Sequence, residues 1–194
     1  MNKIILASGS PRRKQLLELA EIPFEVMVCH TDETYPQSLS PSEIAMHIAH
    51  NKTEAVQGNF ILNQEVHKPI IIGADTIVVL GDDIIGKPTD KEDAIRILSL
   101  LSGKAHRVIT GVCILSVTKK IVFAETTFVT FHSLTKAQIE YYVDRYNPYD
   151  KAGAYAIQEW IGVIGIKCIK GDFYNVMGLP VSRVVGELNM LKDS

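Results

Sequence analysis

Ile70-Ile71-Ile72-Gly73-Ala74-Asp75-Thr76-Ile77-Val78-Val79-Leu80 is the most hydrophobic stretch of the chain. Its β-branched residues and its length suit a central strand buried on both faces, the kind that helices cover on each side in an α/β domain. Asp75 breaks the run. A carboxylate inside such a strand is costly unless it is paired or metal-bound. Asp75 therefore either serves chemistry or bonds to neighbouring backbone at a strand end near Gly73.

Upstream, Ser40-Pro41-Ser42-Glu43 is a capping box with proline in the first turn. It opens a helix whose buried stripe is Ile44, Ala45, Ile48, Ala49, Ala55 and Val56. Lys52 falls on that apolar side, so it must find an anion or run its stem along the surface. His47 and His50 lie on the polar face, where metal ligation is not expected. Further back, Lys3 to Leu6 reads as a strand and Pro11 to about Ala20 as a helix with Leu16, Leu17, Leu19 and Ala20 inward. Between them, Ser8-Gly9-Ser10-Pro11-Arg12-Arg13 makes Ser10 the expected N-cap. The free N–H groups of the first turn, beside Arg12 and Arg13, form an anion site. Phe24 to Cys29 reads as a strand with Glu25 facing away from its neighbours, and Asp32-Glu33 follow it.

Downstream, Gly81 to Lys87 superficially fits a phosphate-binding loop. Pro88 stands where a hydroxyl should meet magnesium, however, and the segment reads as a turn with a returning strand, so that reading is rejected. Thr89-Asp90-Lys91-Glu92 caps a helix carrying Ala94, Ile95, Ile97, Leu98 and Leu101, which ends at Ser102-Gly103. His106 to Val117 and Ile121 to Phe131 form a hairpin about Thr118-Lys119-Lys120, which makes the sheet mixed. Leu134 to Tyr146 is an amphipathic helix, Trp160 to Ile169 and Phe173 to Val176 read as strands, and Pro180 opens a closing helix. Asp150 to Gln158 is a polar island of small residues in which Lys151 supplies a cation and Gln158 an amide able to read a base edge.

The 194 residues, 46% apolar and 22% charged, are expected to form one domain over 1–194 or two tightly joined lobes. The net charge of −2 argues against polymeric nucleic acid as a partner but leaves room for a small anion at a local cluster. Neither a membrane span nor a signal peptide is legible, so a cytoplasmic protein is expected. Cys29, Cys113 and Cys168 are far apart and read as small buried hydrophobes.

Six blocks occur in one order along essentially the whole chain: Ser8 to Arg13, Gly73 to Thr76, Gly86 to Pro88, Ser102 to His106, Asp150 to Gln158, and Gly171 to Pro180. Together they resemble the Maf family of nucleoside triphosphate pyrophosphatases. The resemblance implies an α/β fold akin to inosine triphosphate pyrophosphatases, with a mixed twisted sheet, flanking helices and two lobes around a deep cleft. It also implies a homodimer, a divalent cation (magnesium or manganese), and hydrolysis of a nucleoside triphosphate between its α and β phosphates. Thr76 directly after the motif aspartate, and Gln158 closing its block, match the branch acting on dTTP and UTP. The branch preferring 7-methyl-GTP carries glutamine after the aspartate.

On this reading Ser8, Ser10, Arg12, Arg13, Lys52 and Lys87 hold the triphosphate, Thr76, Lys151 and Gln158 complete the substrate site, and Glu33 and Asp75 organise the metal. Asp75 takes the proton of the attacking water. Whether Asp32 or Glu33 reaches the metal, and whether Glu33 or Asp75 activates water, stays open in the sequence. The alternatives are a pyrophosphatase for 7-methyl-GTP or another modified nucleotide, and a non-catalytic nucleotide-binding regulator of septum formation.

Overall fold

The computed structural model describes residues 3–62 and 69–192. Among the described residues seven strands form one mixed sheet: β1 (Ile4–Leu6), β2 (Glu25–Val26), β3 (Ile70–Leu80), β4 (Asp83–Ile85), β5 (Ala105–Leu115), β6 (Lys120–Phe131) and β7 (Ile166–Lys170). Their order is β2-β1-β3-β5-β6-β7, with β4 also on β3. β1 runs parallel to β2 and β3, whereas β4 pairs antiparallel with β3 and β7 with β6. The helices are α1 (Pro11–Leu19), α2 (Pro41–Leu62), α3 (Lys91–Leu101), α4 (Lys136–Tyr146), α5 (Trp160–Gly165), α6 (Phe173–Met177) and α7 (Val181–Lys192). Among the described residues, no helix is long and apolar enough to cross a membrane.

The chain divides into two compact units. The first comprises the described residues within Met1–Asp75, Thr110–Glu125 and Gly178–Ser194; the second comprises Thr76–Ile109 and Thr126–Met177. β3 leaves the first unit between Asp75 and Thr76.

In the first unit α2 lies directly on the sheet because two strand residues lack a side chain. A methyl group on Gly73 would meet the Ala49 carbonyl oxygen at 2.6 Å, and one on Gly111 would meet the Ala45 carbonyl carbon at 2.2 Å. The capping box forms as read: the Ser40 N–H donates to Glu43 at 2.8 Å and the Glu43 N–H to Ser40 Oγ at 3.4 Å. Ser40 Oγ also donates to Glu43 Oε2 at 2.6 Å, and this bond, with the one from the Ser40 N–H, holds the Glu43 carboxyl below its usual range. Ile5, Ala7, Val56, Phe60, Ile71 and Leu115 make one core cluster, with Met27 and Cys29 packed against it. In the second unit Asp90 caps α3 by accepting the Asp93 N–H at 2.8 Å, and Lys91 reaches Asp144 on α4 at 2.5 Å.

Several expected elements differ. The β2 pairing covers only Glu25–Val26, opposite Ile5 and Leu6 of the three-residue β1, and Val26 and Val28 are exposed while Met27 and Cys29 turn inward. Leu19, expected inside, is exposed, as α1 ends there. Trp160 to Ile169 is not one strand. α5 fills its first six residues, burying Ile161 and Gly165 while Val163 faces solvent. Gly162 permits this turn, since a methyl group there would sit 1.8 Å from the Ile157 carbonyl oxygen. Close packing thus overrides the β preference of Ile161, Val163 and Ile164. Phe173 to Val176 is likewise helical: Asp172 accepts the Tyr174 N–H at 2.7 Å, and Asn175 turns inward to donate to Val108 O at 3.1 Å. Of the cysteines, Cys113 is buried, Cys29 half-buried and Cys168 exposed, so the buried reading fails for Cys168.

Candidate active site

Seven of the predicted site residues belong to the first unit. Lys52 is 17% exposed, and its Nζ donates to Asp75 Oδ1 at 2.7 Å and lies 2.8 Å from Glu33 Oε1. The central strand therefore accommodates Asp75 as one half of a shielded ion pair. The inward lysine has found its anion rather than snorkelled. Asp32 turns back on its own loop, accepting the Thr34 N–H at 2.9 Å, and leaves Glu33 as the loop acid on Lys52. Two carboxylates thus converge on one ammonium, with Asp75 largely shielded and Glu33 half-exposed.

The mouth of α1 supplies the other charges. Ser10 has the extended backbone of an N-cap but makes no side-chain cap; its N–H instead donates to Ser8 Oγ at 3.3 Å. The expected side-chain cap is therefore not made, and Ser8 Oγ accepts from the Arg13 guanidinium as well, at 3.0 Å. Arg13 is buried and its Nε donates to Gly178 O at 2.7 Å. The guanidinium ties the start of α1 to the segment leading into α7, a backbone partner that the Arg-Arg pair gave no means of finding. Burial pushes its pKa down; Asp75 opposes this, Arg12 adds to it, and Glu33 opposes it again. Arg12 is half-buried beside it.

The remaining four residues belong to the second unit. Thr76 follows Asp75 along β3 and is half-buried, so their side chains leave opposite faces of the strand. Lys87 is exposed on the segment after β4, where Gly86 O accepts the Gly153 N–H at 3.1 Å. Val78 pairs with Ile85 across the β3–β4 hairpin, which rules out a strand-loop-helix phosphate loop. Lys151 is buried, with Nζ 2.7 Å from Asp150 Oδ1 and 3.7 Å from Glu159 Oε1; Gln158 is exposed. Glu159 was not singled out by the sequence, whose only hint was an acid next to the polar island.

A family profile described as "Maf-like protein" matches residues 3–191. The chain belongs to the Maf family. A Bacillus cereus protein named dTTP/UTP pyrophosphatase is 50% identical over 188 residues, covering 97% of this chain and 95% of that relative. One of the same name from Parabacteroides distasonis is 47% identical over 187 residues, covering 96% and 94% respectively. Another, from Cytophaga hutchinsonii, is 48% identical over 188 residues, covering 97% and 84%. In this Maf protein the mixed α/β sheet and flanking helices expected from the motif blocks are present.

Proposed function

We propose that this Maf protein is a dTTP/UTP pyrophosphatase: water adds to the α phosphorus, the α–β anhydride bond breaks, and the nucleoside monophosphate and pyrophosphate leave. The observation that carries the reading is Lys52 held at 2.7 Å from Asp75 and 2.8 Å from Glu33, on a chain about half identical to relatives bearing that name. A cation fixed between two acids suits a reaction whose demand is electrostatic, in which charge building on the leaving pyrophosphate must be neutralised. Arg12 and Arg13 stand at a helix mouth whose dipole favours phosphate.

In this reading Asp75 accepts the proton of the attacking water, Lys52 moves its charge to the phosphates, and Ser8, Ser10, Arg12, Arg13 and Lys87 bind them. Arg13 also holds Ser8 and Gly178 in place, so its loss disturbs the mouth of α1 as well as its charge. Thr76, Lys151 and Gln158 are assigned to the nucleoside and the remaining substrate contacts. Glu33 and Asp75 would hold a divalent cation, magnesium or manganese: they are hard oxygen donors and both lie within 2.8 Å of one ammonium. Among the described residues no three acid, histidine or cysteine side chains group to bind a metal. Such an ion, when bound, neutralises phosphate charge and polarises the phosphoryl oxygens. A homodimer in the cytoplasm completes the proposal. The test is pyrophosphate release from dTTP and UTP with either metal, compared between wild type and Lys52→Ala. A loss in both affinity and rate supports it; unchanged kinetics in the variant contradict the assigned cation.

A further inference from the structure

Tyr142 is fully buried on α4 and stacks on Tyr146 at 5.0 Å between ring centroids. Its hydroxyl donates to one oxygen of Glu159 in a short contact and accepts the Ala156 N–H at 3.1 Å. The other Glu159 oxygen faces Lys151 Nζ at 3.7 Å, and the Glu159 N–H donates back to Ala156 O at 3.1 Å. One phenol thus fixes both ends of the segment from Ala156 to Glu159, which contains Gln158, and orients the carboxylate facing Lys151. Phenylalanine would fill the same space, so packing alone does not require the hydroxyl. A hydrogen bond to an ionised carboxylate is among the stronger orienting contacts available to a side chain.

We propose that Tyr142 and Glu159 are positioning residues for substrate selection, setting the Lys151 ammonium and the Gln158 amide and so the preference for a pyrimidine triphosphate. The inference rests on the substrate roles assigned above to Lys151 and Gln158. Asp150 Oδ1 also accepts from Lys151 Nζ, at 2.7 Å, but its side chain is 57% exposed against 22% for Glu159. Glu159 is therefore the more shielded of the two carboxylates that face the lysine.

The experiment compares wild type, Tyr142→Phe and Glu159→Gln in steady-state pyrophosphate release from dTTP and from GTP. Glu159→Gln keeps an acceptor for Tyr142 and the side-chain shape, while removing the charge that faces Lys151. Loss of a charge-directed contact predicts a KM for dTTP raised about tenfold, kcat within about twofold, and a dTTP/GTP ratio of kcat/KM lowered about tenfold. That ratio does not depend on how much of a preparation is folded, and Glu159→Gln decides alone where Tyr142→Phe does not fold. An unchanged KM and ratio, or a fall in kcat alone, overturns the positioning role while leaving the pyrophosphatase reading intact. Absence of release by wild type overturns that reading and the positioning role with it.

Discussion

Replacing Gly73 by alanine tests whether the seat of α2 governs the chemistry. The new methyl would lie 2.6 Å from the Ala49 carbonyl oxygen and 2.7 Å from Thr53 Cγ2, where ordinary contact begins at 3.4 Å. A backbone oxygen cannot rotate aside, so α2 must lift by roughly 0.5–1 Å at this point. Lys52 immediately precedes Thr53, and a lift of that size carries its bonds to Asp75 and Glu33 past about 3.2 Å, where hydrogen bonding weakens. Overpacking of this kind costs about 1–3 kcal/mol, each lowering the unfolding midpoint by about 2–4 °C in a chain of this size. A misplacement near 1 Å costs about 100-fold in rate. The assay is kcat/KM for dTTP at 25 °C beside a thermal melt, with Gly58→Ala as control, because a methyl at Gly58 on the same helix meets nothing within 4 Å. Gly58→Ala should keep its activity and gain up to about 1 kcal/mol from helix propensity. A Gly73→Ala enzyme with a lowered midpoint but kcat/KM within threefold of wild type refutes the reasoning.

Three further outcomes are expected. Lys52→Met should lower kcat/KM by more than 100-fold and weaken nucleotide binding measured by calorimetry, since two acids then face the triphosphate with no cation between them. Burial holds the His106 imidazole down at about 4, with Nε2 bonded to the Tyr155 hydroxyl at 2.8 Å. The unfolded chain therefore takes up this proton first, and stability should fall by about 3 kcal/mol as pH drops from 6.5 to 4; denaturant melts of His106→Leu should show a flatter pH dependence over that window. Thiol titration of the native protein should label exposed Cys168 rapidly and spare Cys113, whose thiol burial pushes up, until the chain unfolds.

The Lys52–Asp75 pair was legible because both residues violate local rules. Asp75 in a strand of isoleucine and valine, and Lys52 on an apolar helix face, each called for a partner, and each is the other's. The choice between Asp32 and Glu33 was not legible, since it depends on which carboxylate the loop spends on its own Thr34 N–H. α5 and α6 were misread because Ile161, Val163, Ile164 and Phe173 to Val176 favour strands, while the tight seat at Gly162 and the Asp172 cap decide otherwise. Glycine as a seat for a helix has no periodic signature, so Gly73 and Gly111 became informative only with Ala49 and Ala45 against them. Tyr142 sat in the apolar stripe of α4 beside Ile139 and Val143; a phenol there was a polar handle awaiting a partner.

The most direct test of the central claim is pyrophosphate release by wild type and Asp75→Asn from dTTP, UTP, CTP, GTP, 7-methyl-GTP and ATP, with magnesium or manganese. Release from dTTP and UTP above the others is expected, lost in Asp75→Asn while that variant still binds nucleotide. Near-normal turnover by Asp75→Asn, or silence of wild type on every nucleotide while still binding one, contradicts it.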